Sequence, residues 1–275
     1  MSKTFSADPR KALGGLVLAV LMLALAGCGS SDDNSNYVEQ PVDQLYNRAL
    51  DDLGAQDYKA AAKGFEEVDR QHPYSVWATK AQIMAAFAYY QSNKYDEAII
   101  ALDRFIQLHP GHRDIPYAYY LKALCYYEQI SDVGRDQRMT QQALDALAEV
   151  VKRFPESPYA RDARLKVELA IDHLAGKEMS VGRYYQSNEQ YVGAINRYRV
   201  VIERYQTTTH VPEALHRLVE CYLSLGVKSE AQESAAVLGY NFPGSEWYQD
   251  SYYLMTGEGP VPRDEQKSGW FFGLF

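Results

Sequence analysis

The feature that most restricts this chain is a unit that recurs from Pro41 to Gly244 and closes on an apolar or aromatic helix end followed by proline, at Pro73, Pro110, Pro155 and Pro243. Proline has no backbone N–H and its ring clashes with the carbonyl one turn earlier, so each of these positions stops a helix. Between the stops the same residue types return in the same order. The first unit carries Leu45, Ala49, Tyr58, Ala61, Phe65 and Pro73, and the second Gln82, Ala86, Tyr89, Tyr95, Ala98, Leu102 and Pro110. The third has Tyr119, Ala123, Tyr126, Ala143, Leu147 and Pro155, with extra residues around Ser131 to Met139 lengthening its inter-helix loop. The fourth has Gly182, Tyr185, Tyr191, Ala194 and Tyr198, a long helical lead-in from Tyr159, and Gln206 where proline is expected. The fifth has Leu215, Val219, Tyr222, Ala231, Ala235 and Pro243.

Small residues, rings and a terminal proline at this spacing are the pattern of the tetratricopeptide repeat. Small side chains let the two helices of a hairpin approach closely, and rings and leucines fill the space between successive hairpins. One hairpin cannot bury its own apolar face, so several must stack into a continuous core. The expected fold is all-α, a right-handed α-solenoid of about five tetratricopeptide-like helical hairpins. It divides the chain into residues 1–27, a cleaved signal; 28–41, a flexible tether; 42–156, repeats 1–3; 157–246, repeats 4–5; and 247–275, a flexible aromatic tail.

The N-terminus sets the compartment. Lys3, Arg10 and Lys11 precede an apolar run from Leu13 to Ala26 that ends in Leu25-Ala26-Gly27-Cys28. The run is shorter than the roughly 20 apolar residues a spanning helix needs, and small residues precede the cysteine where a peptidase needs uncrowded backbone. The segment resembles a bacterial lipoprotein signal. That resemblance implies that Cys28 is the lipidation site, receiving diacylglyceryl and acyl chains and becoming the new N-terminus. No cofactor other than this covalent lipid is expected. Several acyl chains, each contributing about 0.8 kcal/mol per buried methylene, would anchor the protein durably to a bilayer. Inner-membrane lipoproteins of that class usually carry aspartate after the cysteine; Gly29 here implies the outer membrane, periplasmic face.

Composition excludes other classes. Removing residues 1–27, which hold Lys3, Arg10, Lys11 and Asp8, leaves 25 basic against 35 acidic residues, a charge of −10 that disfavours nucleic acid. No Gly-x-x-x-x-Gly-Lys loop, Gly-x-Ser-x-Gly elbow or His-Glu-x-x-His helix occurs, so no enzymatic activity is expected. Glu213-Ala-Leu-His216 has di-iron spacing but no second copy. His109 and His112 flank a turn without a nearby carboxylate cluster, and no metal site is expected. Cys125 and Cys221 fall at matching positions in repeats 3 and 5, too far apart for a disulfide, and read as packed thiols.

What remains is a surface. In the first three units the repeat register turns Tyr46, Leu50 and Leu53, then Lys80, Ile83, Phe87 and Tyr90, then Tyr117, Tyr120, Leu124 and Tyr127 into a groove. Rings give rigid apolar area at small entropic cost, and hydroxyls and Lys80 can meet backbone or carboxylate groups, so the groove suits an extended peptide.

The lipoprotein box followed by five such units resembles the BamD (ComL) family, lipoproteins of the bacterial β-barrel assembly machinery. Asn93-Lys94-Tyr95 with Ala98, Ala101-Leu102-Asp103-Arg104-Phe105-Ile106, Leu108-His109-Pro110 and Asn196-Arg197 carry the likeness, which runs from Cys28 to about Gly244. The resemblance implies a non-enzymatic scaffold. Its partners would be the periplasmic domains of the β-barrel insertase (BamA-like), accessory lipoproteins, and unfolded outer-membrane proteins recognised by a C-terminal aromatic signal. It also implies that Asn196 and Arg197 face the insertase. The competing reading is a repeat lipoprotein of the envelope that binds a cell-division or peptidoglycan-associated protein; such proteins typically carry an N-terminal coiled coil, which is missing here. The tail Gly269-Trp270-Phe271-Phe272-Gly273-Leu274-Phe275 matches nothing in the family pattern. It reads as a mobile docking segment.

Overall fold

A computed structural model describes residues 39–257. The described residues form helices and no strand: α1 (Val42–Gly54), α2 (Tyr58–Gln71), α3 (Val76–Gln91), α4 (Tyr95–Leu108), α5 (Ile115–Tyr127), α6 (Arg138–Arg153), α7 (Ala160–Ser187), α8 (Tyr191–Arg204), α9 (Val211–Ser224), α10 (Lys228–Asn241) and α11 (Glu246–Thr256). Each helix packs on the next in sequence. They make five hairpins and one further helix, the arrangement of an α-solenoid of tetratricopeptide-like repeats. Cys28 and the Trp270–Phe275 segment lie outside the described residues.

Two kinds of turn alternate, and each has a local cause. Within hairpins the chain reverses through one residue in the left-handed region, at Gln56, Asn93, Glu189 and Gly226, with φ of 63°, 58°, 60° and 76°. Asparagine and glycine tolerate that conformation; glutamine and glutamate are held in it by the flanking helices. Between hairpins a serine hydroxyl starts the next helix in two places. The Ser75 hydroxyl oxygen accepts from the Ala78 N–H at 3.0 Å and Ser245 from Tyr248 at 3.1 Å, each satisfying a donor that the first turn leaves unpaired. Where Gln206 replaces proline, α8 still stops at Arg204, and the Thr208 hydroxyl donates to the Tyr205 carbonyl at 2.8 Å.

The core repeats as the sequence does. In the second helix of every hairpin the same three positions are buried: Ala61, Ala98, Ala143, Ala194 and Ala231; then Phe65, Leu102, Leu147, Tyr198 and Ala235; then Val68, Phe105, Val150, Val201 and Leu238. The facing first-helix position is Ala49, Ala86, Ala123, Gly182 and Val219. Volumes compensate across this contact. The largest residue, Tyr198, faces the smallest, Gly182, and the smallest of its series, Ala235, sits in one cluster with Val219.

Two features depart from expectation. Helix α7 runs for 28 residues. Its first half packs on α6 and its second half on α8, so one element serves as a first helix twice over. Residues 247–256, expected in a flexible tail, are instead the body of α11. Its Tyr248 and Ser251 are buried against α9 and α10, and the His216 Nδ1 lies 2.8 Å from the Ser251 Oγ. The boundary therefore belongs after Thr256. Without this helix, Leu215, Leu218 and Leu238, which share a core cluster with Tyr248, would face water.

Candidate peptide-binding face

The first helices of neighbouring hairpins touch one another, α1 with α3 and α3 with α5, which makes a continuous wall of the residues they share. Tyr46 and Ile83 do not belong to its surface, contrary to the register argument. Tyr46 is 9% exposed, its ring 5.4 Å from Phe65 and 4.8 Å from Trp77, and Ile83 packs in the cluster that joins α3 to α5. Both sit at seams between hairpins, and the seam removes them from solvent.

The other expected residues are at least partly open. Lys80 is exposed, with Nζ 5.3 Å from the Trp77 ring centre. Phe87 and Leu124 are half-buried against the α3–α5 cluster, so each shows one apolar edge. The Tyr90 hydroxyl donates to Glu128 Oε1 at 3.3 Å, and burial together with that carboxylate pushes its pKa up to about 12. Burial first, and the neighbouring Tyr159 second, push Tyr117 up to about 12 as well. Both hydroxyls stay protonated at neutral pH; that of Tyr90 is given to Glu128, while that of Tyr117 can donate to a carbonyl or carboxylate oxygen. Tyr120 hydrogen-bonds Asp162, whose carboxyl is held low first by Lys166 and then by Tyr120 itself. Lys166 Nζ lies 2.7 Å from Asp162 and 5.5 Å from the Tyr127 ring centre.

Tyr159 is the residue that the register argument missed. Its ring stacks on Tyr120, with centroids 5.1 Å apart and planes 20° apart, and lies 5.5 Å from Tyr117. A signal existed. Tyr159 stands two places after Ser157, as Trp77 stands after Ser75 and Trp247 after Ser245, so an aromatic opens each of these first helices.

Toward the C-terminal end the corresponding wall changes from rings to charges. Arg183 of α7 donates through Nε and Nη2 to both oxygens of Glu213 of α9, at 2.9 and 3.1 Å. Arg217 meets Glu220 at 2.8 Å and lies 5.5 Å from the Trp247 ring, linking α9 to α11. Burial alone would raise the Glu220 carboxyl, but hydrogen bonds from His216, Arg217 and Gln186 outweigh it and hold it at about 2. Glu213 and His216 are therefore structural, and among the described residues no group of acidic, histidine or cysteine side chains is placed to hold a metal. Cys125 and Cys221 are free and buried, and burial pushes both thiols up to about 12, which keeps them unreactive. On α8, Asn196 is exposed, and Arg197 Nη1 lies 3.1 Å from Glu178 Oε2 with its side chain 43% exposed.

The sequence has relatives throughout this architecture. The family model YfiO, described as an outer membrane lipoprotein, matches residues 38–238. A Caulobacter vibrioides protein named outer membrane protein assembly factor BamD is 48% identical over 267 residues, covering 96% of this chain and 87% of that one. A protein of the same name from Rickettsia prowazekii is 46% identical over 238 residues, covering 86% and 94%. Another, from Neisseria meningitidis, is 36% identical over 244 residues, covering 84% and 91%.

Proposed function

Since this chain belongs to the YfiO family of outer membrane lipoproteins and is similar to proteins named BamD assembly factors, we propose that it is a non-enzymatic outer-membrane protein assembly factor whose α3–α5–α7 face receives the C-terminal aromatic segment of unfolded barrel proteins. The observation that carries this reading is the run of partly open rings, Phe87, Tyr90, Tyr117, Tyr120, Tyr127 and Tyr159, together with the exposed Lys80 on α3. An extended segment ending in an aromatic ring and a carboxylate finds apolar edges for the ring, hydroxyl donors for backbone carbonyls and an ammonium for the carboxylate. Acylation of Cys28 would hold this face at the periplasmic side of the outer membrane.

The α7–α8 surface around Asn196 and Arg197 is the proposed dock for the periplasmic domains of the insertase, with accessory lipoproteins on the same scaffold. Arg197 spends one nitrogen on Glu178 and leaves the rest of its fork open to a partner carboxylate. Titration of a labelled barrel-protein C-terminal peptide tests the groove. Phe87→Ala and Tyr90→Ala are expected to cost more than about 1 kcal/mol of affinity each with helicity unchanged; binding equal to wild type would refute the site. Arg197→Glu is expected to reduce co-purification of the insertase while shifting stability by under about 1 kcal/mol, because the Glu178 pair it breaks is partly exposed. Undiminished recovery would move the interface elsewhere.

A further inference from the structure

On the first half of α7, Leu165 is 60% exposed and Leu169 57% exposed, one turn apart and flanked by exposed Arg161, Arg164 and Glu168. The same stretch is tied to the aromatic face of α5, through Asp162 to Tyr120 and through Lys166 over Tyr127. Leu169 also lines an open hollow with Tyr127, Glu128, Ile130, Asp172 and His173. The leucines thus continue the peptide-binding face beyond the third hairpin instead of forming an isolated patch. Several of the polar groups that border the hollow are already committed. Asp162 and Lys166 pair with each other, Asp172 Oδ1 accepts from the Thr209 hydroxyl at 3.1 Å, His173 Nε2 lies 2.8 Å from the Ser131 carbonyl oxygen, and Glu128 accepts from Tyr90. Between those committed groups Leu165, Leu169, Tyr127 and Ile130 offer a ligand apolar surface.

The geometry points to a second seat on the proposed client-binding face: Leu165 and Leu169, with Tyr127 and Ile130, take alternate apolar side chains of the extended client segment, at positions other than its terminal aromatic residue. This rests on the groove reading above and adds to it a second determinant of client choice. Four residues of helix advance about 6 Å, and side chains on one face of an extended strand repeat about every 6.6 Å, so successive same-face residues of a strand match the two leucines. A barrel strand supplies that pattern, since its side chains alternate between apolar and polar.

The test uses the full mature chain and two synthetic peptides with the same C-terminal aromatic residue. One has alternating apolar residues upstream; in the other these are serine. The wild type is expected to bind the apolar peptide about tenfold more tightly, the effect of burying one to two aliphatic side chains in part. The Leu165→Ser/Leu169→Ser double variant, which alters exposed positions, is expected to lose that discrimination while keeping its response to removal of the terminal ring. Retained discrimination, or an equal loss for both peptides, overturns the seat. So do two other outcomes: a change of sedimentation from dimer to monomer in the variant, which would make a second copy the occupant, and a loss of binding to phosphatidylethanolamine–phosphatidylglycerol vesicles, which would make it a membrane. If neither peptide binds the wild type, the groove reading itself fails and the seat with it. If binding persists and responds to Phe87→Ala but not to the leucines, only the seat is wrong.

Discussion

A methyl group at Gly182 would lie 2.4 Å from the Tyr198 ring, and that ring is fully buried with its hydroxyl donating to Gln186 Oε1 at 2.8 Å. The ring cannot retreat without giving up that bond. Gly182→Ala is therefore expected to destabilise the fold by about 1 to 3 kcal/mol, the usual cost of overpacking. The equivalent positions elsewhere pair alanine with leucine, Ala86 with Leu102 and Ala123 with Leu147, so the clash belongs to the pair and not to the site. In a Tyr198→Leu background the same Gly182→Ala change is expected to be near neutral, a coupling of at least about 0.5 kcal/mol in a urea-denaturation double-mutant cycle. Additive costs would show that the two residues are not in the contact described. At this scale sequence reading reached far. The small and large positions, Ala49, Ala61, Phe65, Ala98, Leu102, Gly182 and Tyr198 among them, stand where the repeat puts them. Exposure was less legible: Tyr46 and Ile83 have the residue types of a groove but lie at seams, because burial depends on what the next hairpin places opposite.

Among elements, α11 shows what a repeat-counting argument overlooks. Pro243-Gly244-Ser245 reproduces the Pro73-Tyr74-Ser75 punctuation, and Trp247 reproduces Trp77, so the chain begins a sixth first helix with no second helix described after it. Among the described residues that helix is the last of the solenoid and covers α9 and α10. Its Tyr248 ring rests where a side chain on Gly239 would stand, 2.6 Å from the position of a Cβ there. Tyr248→Ala is expected to cost about 3 to 5 kcal/mol, the range for emptying a buried aromatic site, and Ser245→Ala about 1 kcal/mol through its lost cap. The urea midpoint measures both. A Tyr248→Ala cost below that of the cap would mean that α11 is not an integral part of the fold. Helix α7 carries a related lesson. The long lead-in from Tyr159 was legible as helix, but that Tyr159 at its start would join Tyr117 and Tyr120 required the packing of α7 against the preceding hairpin.

For the whole molecule, stability is close to a sum over hairpins and their interfaces, so a change in one interface acts locally before it acts globally. The α7–α9–α11 end depends on the Glu220 carboxylate, held at about 2 against an ordinary 4.5. A depressed carboxyl contributes stability that is complete above its unfolded value and is lost as pH falls through its folded one. Acidification from about pH 4.5 toward 2 is therefore expected to loosen α9 and α11 before α2 and α4, visible as earlier amide exchange. Glu220→Gln should remove most of that pH dependence. Uniform loss of protection along the solenoid would argue against this local control.

The sequence by itself determined the periodic part of this protein: helices that stop at proline, the order of small and large residues, and the stacking that follows because no hairpin can cover its own apolar face. Those properties are local or repeat with the chain, so they can be read along it. Only the tertiary structure decided which rings stay open, that Tyr159 joins Tyr117 and Tyr120, that Glu213 and His216 knit helices together, and that residues after Gly244 fold onto α9 and α10. Exposure and pairing arise between residues tens of positions apart, and they depend on the angle and offset at which one hairpin meets the next, which no single segment of the sequence specifies.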